Sequence, residues 1–196
     1  MSINWYPGHM TKTKRMIIDS LKDIDIVVEL LDSRIPFASK NPDIEYLTKD
    51  KPKLLVLNKS DLSDPAETKK WADYYKKKGY FVISQSSLRM NTEAFTSALR
   101  ELFAEKAERY AKRGITNKAI RIMILGIPNV GKSTLINALS GERRVKAEDR
   151  PGVTRGKQWI SLKDNISLLD TPGILWAKLE NQHAATRRAI TGAIRD

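Results

Sequence analysis

The sequence predicts an α/β fold with a mainly parallel sheet. Short apolar runs rich in Ile, Val and Leu recur along the chain, and each has the length of a strand buried on both faces. Segments with helical periodicity separate these runs, which is the alternation that βαβ units produce. The runs at 25–31, 53–57 and 119–125 each end in a polar or glycine-containing loop. Open α/β sheets bind ligands at such strand ends.

The composition is that of a globular protein, and the length fits one domain, or one domain with a short appendage. The chain has 196 residues, of which 41% are hydrophobic and 30% charged. No apolar run approaches the length of a membrane span, and residues 1–6 lack the pattern of a signal peptide. There are no cysteines, which excludes disulfides and thiolate metal sites. We expect a cytoplasmic monomer that does not bind membranes.

The charge balance favours a polyanionic partner such as RNA. Thirty-five Lys and Arg face 23 Asp and Glu, giving a net charge of +12. The alternative is a merely Lys-rich surface, since the basic residues are spread over 12–15, 76–78 and 143–157 without an RNA-binding motif.

The elements follow from periodicity and from breaker residues, taken in chain order. Predicted helices cover residues 10–22, 43–47, 65–78, 92–113 and 132–140. Predicted strands cover residues 25–31, 53–57, 80–83, 120–125, and a hairpin of 157–162 with 166–169. Gly79 and Gly114 end helices, and residues 32–36 and 141–156 are predicted loops. Trp71, Tyr74 and Tyr75 are placed on or near the buried face of their helix, as core residues.

The stretch Gly126–Ser133 has the pattern of a phosphate-binding loop between a strand and a helix. Its glycines let backbone N–H groups point inward, and the helix adds the positive end of its dipole. Lys132 is the predicted charge for the β- and γ-phosphates, and the Ser133 hydroxyl is placed to ligate Mg²⁺. The alternative is a glycine turn with an exposed lysine. The predicted nucleotide contacts here are Asn129, Val130, Gly131, Lys132, Ser133 and Thr134.

The tetrapeptide Asn58-Lys59-Ser60-Asp61 is a candidate guanine-reading motif at the end of another strand. A rigid Asp61 carboxylate can accept from both guanine N1–H and the N2 amino group, a donor pair that adenine lacks. Lys59 can cover the base, and Asn58 can tie this loop to the phosphate loop. An ordinary strand-ending turn that caps the next helix is the alternative.

The polar loop at Ser84–Ser87 can present a backbone N–H to the guanine O6, with Ser86 and Ser87 as candidates, or it is a plain turn. Further along, Thr154 is a candidate second Mg²⁺ hydroxyl in a loop ordered by a γ-phosphate. Asp170 can hold Mg²⁺ through water, and the Gly173 N–H can meet the γ-phosphate.

The order of these motifs is rotated. Ras-like GTPases run from the phosphate loop through the magnesium Thr and D-x-x-G to N-K-x-D, whereas here the base-reading motif comes first. Because the site depends on where strand ends lie in space, a circularly permuted Ras-like sheet is physically acceptable. We therefore predict a circularly permuted G domain over residues 1–196.

Together with this order, three segments resemble the ribosome biogenesis GTPase A (YlqF/RbgA) family: residues 5–10 (W-Y-P-G-H-M), 32–36 (D-S-R-I-P) and 126–133 (G-I-P-N-V-G-K-S). The resemblance covers essentially the whole chain. It implies GTP hydrolysis coupled to maturation of the large ribosomal subunit, with the subunit precursor and its rRNA as partners. It also implies a C-terminal helical RNA-binding domain, which we expect to be missing or truncated here.

The same resemblance assigns residues to hydrolysis. The position after D-x-x-G is Ile174, where Ras has a water-positioning Gln, so slow intrinsic turnover is expected. His9, in the P-G-H-M motif, matches the residue proposed to substitute for that Gln; the sequence alone favours a turn or helix-start histidine, and the resemblance places the two roles on an equal footing. Asn129 matches the asparagine that holds K⁺ in potassium-dependent GTPases.

Two other functions compete with a GTPase switch. The chain can be an RNA-binding scaffold in which GTP only orders a loop and hydrolysis is incidental. An ATP-using kinase or ATPase does not explain residues 58–61.

Overall fold

The computed structural model describes Arg15, residues 17–141 and residues 158–170, with the backbone alone for 158 and 170. Its strands are β1 (Ile26–Asp32), β2 (Lys53–Asn58), β3 (Phe81–Ser84), β4 (Ile120–Leu125), β5 (Gln158–Leu162) and β6 (Ile166–Asp170). These described strands form one sheet in the order β3-β2-β1-β4-β6-β5. Neighbours are parallel except for the β5–β6 hairpin, so the predicted α/β class is confirmed.

Three of the five helices named below begin at a side-chain cap. They are α1 (Pro36–Ser39), α2 (Pro42–Leu47), α3 (Pro65–Lys77), α4 (Thr92–Ala111) and α5 (Lys132–Ser140), and residues 17–21 are also helical. The side chains of Asn41, Asp64 and Asn91 each accept a backbone N–H in the first turn of the helix that follows. None of the helices in the described ranges is both long enough and apolar enough to cross a bilayer.

Two differences from the predicted elements are larger than one residue at a boundary. The loop predicted at 32–36 leads directly into α1, which the sequence analysis missed because a four-residue helix has no measurable periodicity. Ser39 stabilises this turn, since its hydroxyl donates to the Ile35 carbonyl at 2.9 Å and accepts the Asp32 N–H at 3.0 Å. Helix α4 ends at Ala111 rather than at 113.

The core lies on both faces of the sheet. Alternate residues of β1 point to opposite sides, and Val28 and Leu30 pack in one cluster with Phe95 and Leu99 of α4. On the other face, Val27 packs against the 17–21 helix. The prediction for the α3 aromatics was partly wrong, because Tyr75 is 2% exposed but Tyr74 is 41% exposed and Trp71 is half-buried.

A buried charge network crosses the second face of the sheet. Glu29, in the middle of β1, is fully buried and accepts from Lys40 Nζ at 3.2 Å. Lys40 also donates to Glu45 of α2 at 2.7 Å, and Lys53 of β2 donates to the same carboxylate at 2.7 Å. Burial raises the pKa of Glu29, which Lys40 only partly offsets. Burial also acts to raise the pKa of Glu45, but the two lysines hold it down at about 2.

Candidate nucleotide-binding site

The strand order brings the two sequence motifs to one edge of the sheet. Strands β2 and β4 both pair in parallel with β1, one on each side. Their carboxyl ends therefore point the same way, and the loops that follow them flank the loop after β1. The base-reading motif and the phosphate loop are 65 or more residues apart in sequence but neighbours in space, as their hydrogen bonds show.

The phosphate loop needs glycine at two positions. A Cβ on Gly131 would lie 2.3 Å from Asn58 Nδ2, and one on Gly126 would lie 2.9 Å from the Leu30 carbonyl oxygen. Gly131 has φ +99 and Asn129 has φ +58, so the backbone takes left-handed turns on the way into α5. Such turns form the concave nest of N–H groups that binds anions. Lys132, the first residue of α5, has its Nζ shielded from solvent.

Asn58 joins three loops through its side chain. Its Nδ2 donates to the Val130 carbonyl at 2.8 Å, and its Oδ1 accepts from the Ser87 N–H at 3.0 Å and the Ser87 hydroxyl at 2.7 Å. The residue is 1% exposed. Asn58 therefore fixes the base-reading motif relative to both the phosphate loop and the 84–87 loop.

Lys59 makes a second connection to the phosphate loop. It has φ +59, and its Nζ donates to the Asn129 carbonyl at 2.5 Å. The next residues form a single 3₁₀ turn, Ser60–Leu62, in which the Ser60 N–H donates to the Gln85 carbonyl at 3.3 Å. Asp61 lies in this turn with its side chain exposed. A carboxylate placed there is accessible to a base.

The loop containing Ser86 and Ser87 is buried and tied to its neighbours. Ser87 is engaged by Asn58, while the Ser86 hydroxyl accepts the Leu88 N–H at 3.3 Å and its carbonyl accepts the Arg89 N–H at 3.1 Å. Both serines are less than a tenth exposed. This loop therefore holds the Asn58 side chain in place. The predicted contact of the loop with a base stays a prediction.

The remaining candidates are only partly within the described residues. His9, Thr154 and Gly173 lie outside them. Asp170 ends β6, which pairs with β4 in register Met123 to Leu169, so its backbone is at the same edge of the sheet as the phosphate loop. Ser133 occupies the first turn of α5, and Thr134 beside it is exposed.

The sequence analysis missed Asp32 and Arg34 as parts of this edge. The Asp32 carboxylate accepts from Arg34 Nε at 2.9 Å and Nη2 at 2.6 Å, and lies 3.1 Å from Lys59 Nζ. Burial alone would raise the pKa of Asp32, but the hydrogen bonds from Arg34 and the charge of Lys59 lower it below its ordinary value. An acidic residue closing an apolar strand next to a candidate site is the signal that could have identified Asp32.

A permuted P-loop GTPase is the class of protein that this fold and motif order define. A family model described as 50S ribosome-binding GTPase matches residues 121–195. Ribosome biogenesis GTPase A of Bacillus cereus is 47% identical over 197 residues, covering 100% of this chain and 67% of that protein. The chain belongs to the ribosome biogenesis GTPase A family.

Solved structures agree with this assignment. The crystal structure of GNP-bound YlqF from T. maritima matches with a TM-score of 0.70 at 32% identity, over 93% of this chain and 66% of that one. The GDP-bound structure of the same protein matches with a TM-score of 0.67 at 31% identity, over 91% of this chain and 66% of that one. The chain therefore spans about two thirds of the length of these relatives.

Proposed function

We propose that this chain is a ribosome assembly factor that binds GTP at the edge formed by the loops after β2 and β4, and hydrolyses it to GDP and phosphate. In this proposal Gly131 and Lys132 hold the phosphates, and Asp61 reads guanine. The contacts Asn129, Val130 and Thr134 complete the phosphate side, while Ser60 shapes the turn that carries Asp61.

The observation that carries the proposal is the bridge made by Asn58. A nucleotide needs a base-binding and a phosphate-binding element at a fixed separation. The hydrogen bonds between Asn58 and both Val130 and Ser87 fix that separation through contacts within the protein, which lowers the ordering cost that binding would otherwise carry. An ordinary solvent-exposed turn would not need a buried side-chain amide that bonds to a residue 72 positions further along the sequence.

The chemistry of the phosphate loop fits Mg²⁺. A hydroxyl oxygen such as that of Ser133 is a hard ligand of the kind that Mg²⁺ accepts beside substrate phosphates. Thr154 and Asp170 are the proposed further ligands, the latter through water, and the Gly173 N–H is a proposed γ-phosphate donor. When bound, Mg²⁺ neutralises charge on the phosphates as the terminal bond breaks.

Turnover is proposed to be slow until the partner binds. Ile174 cannot orient a water, and His9 is the residue we propose for that role. Asn129 is the proposed K⁺ ligand, whose cation would offset charge on the transferred phosphoryl group. The proposed partner is the large ribosomal subunit precursor and its rRNA, consistent with the net charge of +12. We propose that the protein acts in the cytoplasm as a monomer.

Exchanging Asp61 for Asn tests the proposal directly. Asn presents an amide N–H₂ where Asp presents only acceptors, so it matches the C2 carbonyl of xanthine better than the N2 amino group of guanine. We expect GTP affinity to fall and the preference for GTP over xanthosine triphosphate to drop at least tenfold, about 1.4 kcal/mol, in equilibrium binding.

The matched control is Asp64→Asn, which makes the same change three residues on. Asp64 caps α3 by accepting the Glu67 N–H, and Asn caps as well as Asp does. Base preference should be unchanged in this variant. A GTP preference that survives in Asp61→Asn would refute the proposed base reading.

A further inference from the structure

The buried carboxylate of Asp32 links the two halves of the candidate site. Its side chain is 4% exposed and closes β1, between the strands that carry the base-reading motif and the phosphate loop. It contacts two cations, Arg34 at 2.6 Å and Lys59 at 3.1 Å. No predicted nucleotide contact includes Asp32, so its burial beside two cations requires a separate account.

Lys59 is held from two sides. Its Nζ lies between the Asp32 carboxylate and the Asn129 carbonyl, to which it donates. Lys59 and Asn129 both have positive φ, near +59 and +58. A left-handed conformation at a non-glycine residue persists only when surrounding contacts enforce it. The Asp32–Lys59–Asn129 chain of contacts supplies that enforcement at both residues.

We propose that Asp32 is a positioning residue for nucleotide binding, which holds Lys59 against the phosphate loop so that the two loops keep their separation before a ligand arrives. This inference rests on the proposed function. Asp32 does not touch the nucleotide in this account; it acts through Lys59, whose stem then lies across the base position. Without the carboxylate, Lys59 Nζ would exchange its contact with Asn129 for water.

Arg34 fixes the position of the Asp32 carboxylate. Its guanidinium binds Asp32 through both Nε and Nη2, and its own N–H donates to the same carboxylate at 3.1 Å. Such forked pairs fix orientation as well as charge. The hydrogen bond with Asp32 raises the pKa of Arg34, and the charge of Asp61 adds to this effect. Although burial acts to raise the pKa of Asp32, the hydrogen bonds from Arg34 and the charge of Lys59 lower it, so the carboxylate is ionised and held in one orientation at neutral pH.

The test is the dissociation rate of a fluorescent GDP from the full chain, with Asp32→Asn as the main variant. Asn has the shape of Asp but no charge to hold Lys59. We expect dissociation to be at least fivefold faster. The factor should be the same for GDP and for a non-hydrolysable GTP analogue, because the change affects the contacts to the base, which the two nucleotides share. Glu67→Gln, which neutralises a carboxylate in an exposed pair with Lys70, is the control and should leave the rate unchanged.

A double variant separates positioning from plain destabilisation. Lys59→Met should also release nucleotide faster, and adding Asp32→Asn to it should cause no further change, because Asp32 acts through Lys59. Additive effects of the two changes would overturn the proposal. If Asp32→Asn does not fold, a Lys59→Met dissociation rate equal to that of the parent chain would overturn it as well. Parent chain that binds no GDP would refute the proposed function itself, whereas binding that Asp32→Asn leaves unaltered would refute only this inference.

Discussion

Replacing Asn58 with Ala should be among the costlier single changes at this edge of the sheet. The side chain is 1% exposed and makes hydrogen bonds with the Val130 carbonyl and with two donors of Ser87. Truncation leaves one acceptor and two donors without their partner in a place that water reaches poorly. Each such orphaned group costs about 1–3 kcal/mol, and relaxation of the loops recovers part of it. We expect a loss of about 2–4 kcal/mol in the free energy of unfolding.

The assay is equilibrium unfolding in urea, followed by far-ultraviolet circular dichroism without nucleotide. Asn117→Ala is the matched control, because Asn117 accepts from Asn165 Nδ2 at 2.8 Å in an exposed contact. That change should cost about 0.5 kcal/mol or less. Asn58→Asp separates the two halves of the bridge, since it retains acceptors for Ser87 but sets a carboxylate against the Val130 carbonyl. An Asn58→Ala loss no larger than that of Asn117→Ala would refute the reasoning.

Two further outcomes are expected. Gly131→Ala should lower the free energy of unfolding by about 1–3 kcal/mol and nucleotide affinity at least tenfold, because the new Cβ would lie 2.3 Å from Asn58 Nδ2 at a φ of +99. Lys40→Met should destabilise the protein by about 3–5 kcal/mol at pH 8, measured by urea unfolding, because Glu29 loses its cation. Without Lys40, the pKa of Glu29, already raised by burial, rises further. As the pH falls, the folded state therefore binds a proton at Glu29 before the unfolded state does. The loss in the free energy of unfolding should then become smaller towards pH 5.

Each of these variants has a control within the chain. Gly79 has φ +85, but a Cβ placed there would meet nothing within 4 Å, so Gly79→Ala reports backbone strain without a clash. If it equals Gly131→Ala in both stability and affinity, the close approach to Asn58 is irrelevant. Lys70 pairs with Glu67 in solvent, and Lys70→Met should leave the free energy of unfolding nearly unchanged at either pH. A Lys40→Met effect that does not vary with pH would rule out titration of Glu29.

The central strands β1 and β2 were predictable because their residues are buried on both faces. The run at 53–57 became Lys53–Asn58, and the run at 25–31 became Ile26–Asp32, so neither boundary moved by more than one residue. Near-continuous apolar runs of this length are typical of parallel strands that are covered on both faces. The hairpin turn was found for a different reason, since Asp164 and Asn165 tolerate the left-handed conformations they adopt.

The contacts between loops could not be predicted in the same way. Residues 58–61 indicated a base-reading motif, yet nothing local to them shows that Lys59 meets Asp32. Likewise Glu29 reads as one polar interruption in an apolar run, and its partner Lys40 is identified only when β1 and α1 pack together. Ion pairs depend on three-dimensional proximity, whereas periodicity reports only which face of its own element a residue occupies.

The permuted order of strands also has a mechanical consequence. Strands β1 to β3 come from one continuous stretch of chain and β4 to β6 from another, and the two stretches meet along the pairing of Ile26–Glu29 with Ile122–Leu125. The candidate site spans that seam. A ligand that contacts both stretches would stabilise the folded state by about 2.7 kcal/mol when its concentration is a hundred times its dissociation constant. The force needed to separate β1 from β4 should therefore be higher when nucleotide is bound than when the site is empty.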